Sequence, residues 1–373
     1  MLKTMFPGID LPSSALGFGC MRLPTRPDGT IDEDRAIAMI RNAIDHGVTY
    51  IDTAYPYHGG QSEVVVGKAL RDGYRERVIL ATKLPCWAVN THEDMMRLLD
   101  EQLAKLQTDH VDFYLLHALN KDRYPKMREL GFKEFYAEAI AQGKVRYPAF
   151  SFHDDKAAFL DILNDYDWKM CQVQMNILDD TNQATLEGIR AAGEKGVGVV
   201  VMEPLRGGLL ADPPQEVRDA YATFPEKRSP VEWAFRYLYT MPQVITILSG
   251  MSAEAQAEDN LRIFDAAARD TVSEAERQLY VDVKNTYLAR MKTKCTGCEY
   301  CQPCPRGVKI PNIFRGYDQS LLSAGGSFKN GYARLAEEKA DASRCVACRK
   351  CERICPQHLP IVRYLQEIRA VCE

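Results

Sequence analysis

Eight of the twelve cysteines fall in two short runs, each closed by Cys-Pro. The first reads Cys295-Thr-Gly-Cys298-Glu-Tyr-Cys301-Gln-Pro-Cys304-Pro305. The second reads Cys345-Val-Ala-Cys348-Arg-Lys-Cys351-Glu-Arg-Ile-Cys355-Pro356. Its spacing, C-x2-C-x2-C-x3-C-P, wraps three thiolates around one face of an iron–sulfur cluster while the proline turns the chain away. The fourth cysteine of such a run ligates the other cluster when two are present. Zinc is the alternative, because paired C-x2-C units also suit a tetrahedral ion. Yet zinc takes its ligands as two pairs and gives no reason for evenly spaced third and fourth cysteines followed by proline. The first run departs from the pattern, with two residues before its last cysteine instead of three. Two [4Fe–4S] clusters, one at minimum, are expected on these eight residues.

Three other segments end a β-branched run in residues suited to acid–base chemistry. They are Ile51-Asp52-Thr53-Ala54-Tyr55-Pro56-Tyr57, Ala81-Thr82-Lys83 and Leu115-Leu116-His117. Singly, each has a structural explanation: Asp52 caps a turn, Lys83 pairs with it, and His117 is a hydrogen-bonded residue after a strand. On consecutive strand ends they become much more specific, since polar residues at the C-terminal ends of barrel strands are where catalysis sits.

The elements that must position them can be read from residues 1–270. Candidate strands are Leu16–Gly19, Val48–Asp52, Val78–Lys83, Val111–Leu116, Ala149–Phe152, Cys171–Met175, Val197–Met202 and Val244–Leu248. Amphipathic helical patterns separate them, such as Asp34–His46 before Gly47, and Asp94–Leu106. Eight strands alternating with helices over about 250 residues fit an α/β fold, the (β/α)8 or TIM barrel. A doubly wound sheet is the competing arrangement, but no Gly-x-Gly-x-x-Gly follows the first strand. Leu209–Pro230 reads as an irregular excursion after strand seven. The capping box Ser273-x-x-Glu276 starts a helix that joins the barrel to the cysteine runs. The expected domains are a barrel over 1–270, a linker helix over 271–291 and an iron–sulfur domain over 292–373.

At 373 residues, 46% of them hydrophobic, the chain can bury a large core. Its N-terminus lacks the apolar run of a signal peptide, and no 18-residue apolar stretch occurs. A cytoplasmic, membrane-free location is expected, where clustered cysteines mean metal rather than disulfides. The net charge of −4 divides unevenly: from Lys292 onward 14 Lys and Arg stand against 8 Asp and Glu, or +6, leaving −10 for residues 1–291. A basic tail admits nucleic acid as a partner. However, an oxidised tetrathiolate cluster carries about −2, and Lys294, Arg306, Arg344 and Arg353 would offset it. No nucleic-acid partner is therefore expected.

The chain resembles the aldo-keto reductases from Met1 to about Phe264. The resemblance lies in Leu16-Gly17-Phe18-Gly19, Asp52-Thr53-Ala54-x-x-Tyr57, Gly60-x-Ser62-Glu63, Ala81-Thr82-Lys83, Leu115-Leu116-His117, and Gly250 through Asn260. It implies a TIM barrel that reduces carbonyls with NADPH or NADH, with a catalytic tetrad on Asp52, Tyr57, Lys83 and His117. A phenol with pKa near ~10 is a poor acid at neutral pH, and a neighbouring ammonium lowers it. Asp52 would hold Lys83 charged, and Tyr57 would protonate the developing alkoxide. Tyr55 is a rival acid that breaks the family spacing. The resemblance further places Ser151 and Gln172 on the nicotinamide carboxamide, and Leu248 through Asn260 on the adenosine phosphate. Two positions depart from it. Met202 stands where many members stack an aromatic ring on the nicotinamide. Gly250 and Gln256 stand where NADPH-selective members clamp the 2′-phosphate with Lys and Arg, so a strict NADPH preference is not expected. Arg262 is the candidate replacement.

The C-terminal segment resembles the ferredoxin-like extension of one branch of that family, in which both cysteine runs recur and the second closes with Cys-Pro-Gln-His. The ferredoxin crossover would put Cys295, Cys298, Cys301 and Cys355 on one cluster, and Cys345, Cys348, Cys351 and Cys304 on the other. The segment between the runs looks partly helical over Tyr332–Lys339, giving a small, mainly helical domain. Cys20, Cys86, Cys171 and Cys372 share no ligand spacing and read as small core residues; Cys86 beside Trp87 could instead line the substrate mouth. Two functions compete. The first is an iron–sulfur oxidoreductase interconverting a small carbonyl and its alcohol, with the clusters relaying electrons to or from a redox protein partner or stapling the small domain. The second is an electron-transfer or docking protein whose barrel binds a ligand without turnover.

Overall fold

The computed structural model describes residues 1–295 and 297–373. A short antiparallel pair, β1 (Lys3–Phe6) and β2 (Leu11–Ser14), precedes eight parallel strands. These are β3 (Leu16–Gly19), β4 (Tyr50–Asp52), β5 (Ile79–Leu84), β6 (Val111–Leu119), β7 (Val145–Phe152), β8 (Met170–Gln174), β9 (Gly198–Met202) and β10 (Val244–Gly250). They pair in chain order, and β10 returns to β3 to close the barrel. Helices between the strands cover the outer face, as the amphipathic patterns require. Glu33–Asp45 buries Ala36, Met39, Ile40, Ala43 and Ile44, a stripe at helical spacing. His92–Leu106 starts at a capping box formed by Thr91 and Asp94, and it ends where Gln107 turns left-handed.

The β1–β2 hairpin was not expected from the sequence. It plugs the end of the barrel where the strands begin. Phe6 is fully buried, with its ring 4.8 Å from Phe113 and 6.2 Å from Tyr50. Burying one such side chain contributes about 1.5–3 kcal/mol. Gly198 makes room for it: a Cβ there would lie 2.5 Å from the Phe6 ring. With this end filled, the opposite end of the barrel is left for a site.

Contacts divide the chain into two units, Met1–Arg206 with Glu232–Val272, and Gly207–Val231 with Ser273–Glu373. The excursion after the seventh barrel strand therefore groups with the C-terminal residues. The helix Glu274–Arg290 begins at the expected capping box, with Ser273 and Glu276 each bonding the other's backbone N–H. It belongs to the second unit, where Arg290 pairs with Glu216 at 2.7 Å and donates to the Leu321 carbonyl at 2.8 Å. The core of this unit gathers Ile313, Phe314, Tyr332, Ile361, Leu365 and Ile368 from three helices, Ile310–Ser320, Lys329–Glu337 and Ile361–Cys372. Cys355 is buried in that core, and Cys295, Cys301, Cys304, Cys345 and Cys351 pack on it.

Candidate functional site

The ends of β4, β5 and β6 bring together the four residues that the strand-end pattern singles out. Lys83 and Asp52 are both almost fully buried, and Lys83 Nζ donates to Asp52 Oδ1 at 2.7 Å. It also donates to the Thr53 carbonyl at 2.7 Å and reaches Tyr57 Oη at 3.5 Å. His117 meets the Tyr57 ring edge-on, with 6.2 Å between ring centroids. A break in β6 aims it there. The β6–β7 register shifts between Leu116 and Leu119, and Ala118 adopts a left-handed φ of 54°. Bulges of this kind re-aim side chains beside active sites. Tyr55 points elsewhere, with Lys105 Nζ over its ring at 4.2 Å. The geometry thus separates the two tyrosines.

Behind Lys83 lies a buried network that the sequence motifs quote but do not explain. Glu63 accepts from Thr82 Oγ1 at 2.7 Å and from Gln102 Nε2. Gln102 also donates to the Lys83 carbonyl at 3.1 Å and accepts from Tyr114 Oη at 2.6 Å. Thr53 and Ser62 share a hydroxyl–hydroxyl bond of 2.9 Å, and Ser62 donates to the Cys20 carbonyl at 3.0 Å. These bonds fix the backbone on both sides of the Asp52–Lys83 pair. Gln102 had no motif around it and could not have been picked out.

The electrostatics assign protonation states. Burial lowers the Lys83 pKa, but the Asp52 charge and Tyr57 outweigh it and leave the ammonium above its ordinary value. Burial raises the Tyr57 phenol, and Lys83 opposes that without overcoming it. The lowering that charge alone predicts is present, therefore, but burial exceeds it. His117 is held down to about 2 by burial, then by Lys83, His153 and Arg123, so its imidazole is neutral. Cys86 is buried, its thiol pushed up to about 12 by desolvation, and it packs as a core residue.

Ser151 and Gln172 are direct neighbours in the β7–β8 register and nearly fully buried. Ser151 Oγ accepts from the Ala118 N–H at 2.7 Å and keeps its own hydrogen to donate. Gln172 Oε1 is buried without a partner, and its amide lies 3.8 Å from the Met202 sulfur. An unused acceptor beside a free hydroxyl donor fits a carboxamide. At the far side, Asn260 Nδ2 donates to Ser249 Oγ at 2.9 Å, and Gln256 Oε1 folds back onto the Ser252 N–H at 2.9 Å. Arg262 pairs with Asp259 at 2.8 Å and lies 3.9 Å from Glu232. Sequence reasoning passed over Arg22, whose aliphatic stem packs at Gly250 and would lie 3.3 Å from a Cβ placed there.

In the second unit, Cys295, Cys298, Cys301 and Cys355 line one cavity, with Ile310, Pro311, Phe314, Leu359 and Ile361 among its walls. Three thiols of the first run and the last of the second thus meet in the crossover set. Among the described residues no three His, Cys, Asp or Glu side chains converge to hold a single metal ion; these four thiols surround a volume. All-thiol donors around an apolar-walled space fit an iron–sulfur cluster. The segments that follow Cys304 and precede Cys345 are joined: Arg344 Nε donates to the Arg306 carbonyl at 3.2 Å, and Lys309 N to the Ala340 carbonyl at 2.9 Å. Gly297 is required by its φ of 72° and by Arg315, whose Nη2 would lie 2.6 Å from a Cβ. Asp318, buried and far in sequence, accepts from the N–H groups of Lys292, Thr293 and Lys294 and from Thr293 Oγ1, at 2.7–2.9 Å. It anchors the chain just before Cys295.

Two family models match the chain: the aldo/keto reductase family over residues 15–275, and a 4Fe-4S dicluster domain over residues 294–360. The chain belongs to the aldo/keto reductase family. Aldo-keto reductase YhdN of Bacillus subtilis is 41% identical over 115 residues, covering 29% of this chain and only 35% of that protein. The uncharacterized oxidoreductase YqkF of the same organism is 26% identical over 296 residues, 69% of this chain and 89% of YqkF. The holo form of aldo-keto reductase AKR11C1 from Bacillus halodurans superposes with a TM-score of 0.65 at 28% identity, covering 76% of this chain and 96% of that one. This family member is an aldo-keto reductase-like oxidoreductase with a C-terminal 4Fe-4S domain. Among the described residues no helix is long and apolar enough to cross a membrane.

Proposed function

We propose that the barrel interconverts a small carbonyl compound and its alcohol with a nicotinamide cofactor, with Tyr57 as general acid. The observation that carries this reading is the buried Lys83 ammonium, held by Asp52 at 2.7 Å and set 3.5 Å from Tyr57 Oη. Nicotinamide, when bound, supplies the hydride. Ser151 and Gln172 would orient its carboxamide; Gly250, Gln256 and Asn260 would face its adenosine phosphate. Tyr57 holds its proton because burial raises its pKa. Lys83 then compensates the phenolate left after the proton has gone to the substrate oxygen, and this charge is needed only as the reaction proceeds. The neutral His117 can donate a hydrogen bond to the same oxygen. The related AKR11C1 structure is a holo form.

For the second unit, the reading is two [4Fe–4S] clusters, which supply single electrons when bound, on Cys295, Cys298, Cys301 and Cys355, and on Cys345, Cys348, Cys351 and Cys304. They would exchange electrons with an external redox partner. The test of the barrel is Tyr57→Phe, which keeps the ring and removes the proton. Steady-state reduction of an aldehyde panel should fall by about 10²–10⁴-fold, with nucleotide affinity retained in calorimetry. Undiminished reduction would remove Tyr57 from the role.

A further inference from the structure

We infer that the substrate of this barrel carries a carboxylate, and that Arg123 recognises it. The inference rests on Tyr57 and His117 marking the reacting end, as proposed above. After the β6 bulge the chain turns at Asn120, whose Oδ1 accepts the N–H groups of Asp122 at 3.1 Å and Arg123 at 2.7 Å. That turn sets Arg123 at the start of the short helix Arg123–Glu129. Its Nη1 donates to the Ala118 carbonyl at 2.8 Å, on the residue next to His117. Its guanidinium lies 5.6 Å from the Trp87 ring, and that ring lies 5.1 Å from His117. His117, Trp87 and Arg123 therefore form a row that begins at the tetrad. Trp87 is 44% exposed, so the row is open to a ligand.

Arg123 is held in place without being neutralised. Arg75, Arg146, Arg206 and Arg236 of the same unit each pair with an aspartate. Among the described residues Arg123 pairs with none, and its bond to a backbone carbonyl uses one of its five N–H donors. Its positive charge is felt at His117, where it adds to burial, Lys83 and His153 in keeping the ring neutral. In residues 1–291, which carry −10 overall, an unpaired cation beside the reacting groups is a selective feature. A single planar guanidinium matches one carboxylate, whereas phosphate sites gather several donors. A flat or unsaturated linker between carbonyl and carboxylate would lie along Trp87.

The test uses the full chain and two matched pairs of probes. The first pair is 4-carboxybenzaldehyde and benzaldehyde, compared by the ratio of their kcat/KM values. The ratio should favour the charged aldehyde in the parent protein, fall roughly 10- to 100-fold in Arg123→Gln, and recover in part in Arg123→Lys. The second pair is benzoate and benzamide, titrated calorimetrically without turnover. Benzoate should bind more tightly, and Arg123→Gln should abolish the difference. If neither aldehyde is reduced but the benzoate preference depends on Arg123, the recognition stands and the proposed reaction fails. Equal binding of benzoate and benzamide by the parent protein, or a preference that survives Arg123→Gln, overturns the inference.

Discussion

His117 is a neutral imidazole, and the proposed mechanism uses it as a hydrogen-bond donor rather than as a cation. Its folded-state pKa is about 2, far below the ordinary histidine value near 6.5. The unfolded chain thus binds a proton below pH 6.5 that the fold refuses, so this residue costs stability as the solution becomes acid, and costs nothing above pH 6.5. In ¹⁵N-histidine NMR of the full chain, the ring of His117 should keep its neutral shifts down to about pH 4. Protonation of His117 near neutrality would mean that it meets substrate as a cation, and that Lys83 is not the sole cation beside Tyr57. Tyr57 follows the same logic. Burial outweighs the lysine beside it and holds the phenol above its ordinary pKa, as the proposed general-acid role requires.

Strands, bulges and anchors explain why some of this could be read from the sequence and some could not. The eight barrel strands lie where the β-branched runs predict them, because strands buried on both faces leave a local apolar signature. The residues proposed as the tetrad stand out in the sequence for a related reason: Asp52, Lys83 and His117 interrupt those runs at strand ends. The β1–β2 hairpin left no such mark, since Lys3–Phe6 and Leu11–Ser14 are four residues each and gain meaning only by plugging a closed barrel. Asp318 and Arg123 are equally silent locally. One acts on a segment 24–26 residues away, and the other acts through the carbonyl beside a bulge. Asp318 also yields a prediction for its element. In Asp318→Ala three N–H groups and a hydroxyl lose their acceptor, and each buried donor left unpaired costs about 1–3 kcal/mol. Urea should therefore bleach the visible cluster absorption at a clearly lower concentration in this variant, and anaerobic protein should carry less than the parent's expected iron. An unchanged midpoint would show that the segment before Cys295 is held by something else.

The proposed function combines two chemistries that count electrons differently. A nicotinamide moves a pair with a proton equivalent, whereas an iron–sulfur cluster moves one at a time. The charge of the chain divides along the same line, acidic over residues 1–291 and basic from Lys292 onward. Our account places carbonyl chemistry wholly on Asp52, Tyr57, Lys83 and His117, and leaves the cysteines to a separate exchange of electrons. The most direct test is isotopic. Nicotinamide cofactor deuterated at the transferable position should be turned over with 4-carboxybenzaldehyde by the parent protein and by Cys348→Ser, which removes a proposed cluster ligand but touches no proposed tetrad residue. The account predicts deuterium on the carbinol carbon of the product alcohol in both proteins. An alcohol carrying solvent hydrogen at that carbon, or its complete loss in Cys348→Ser, would mean that electrons reach the carbonyl through the clusters, and would contradict it.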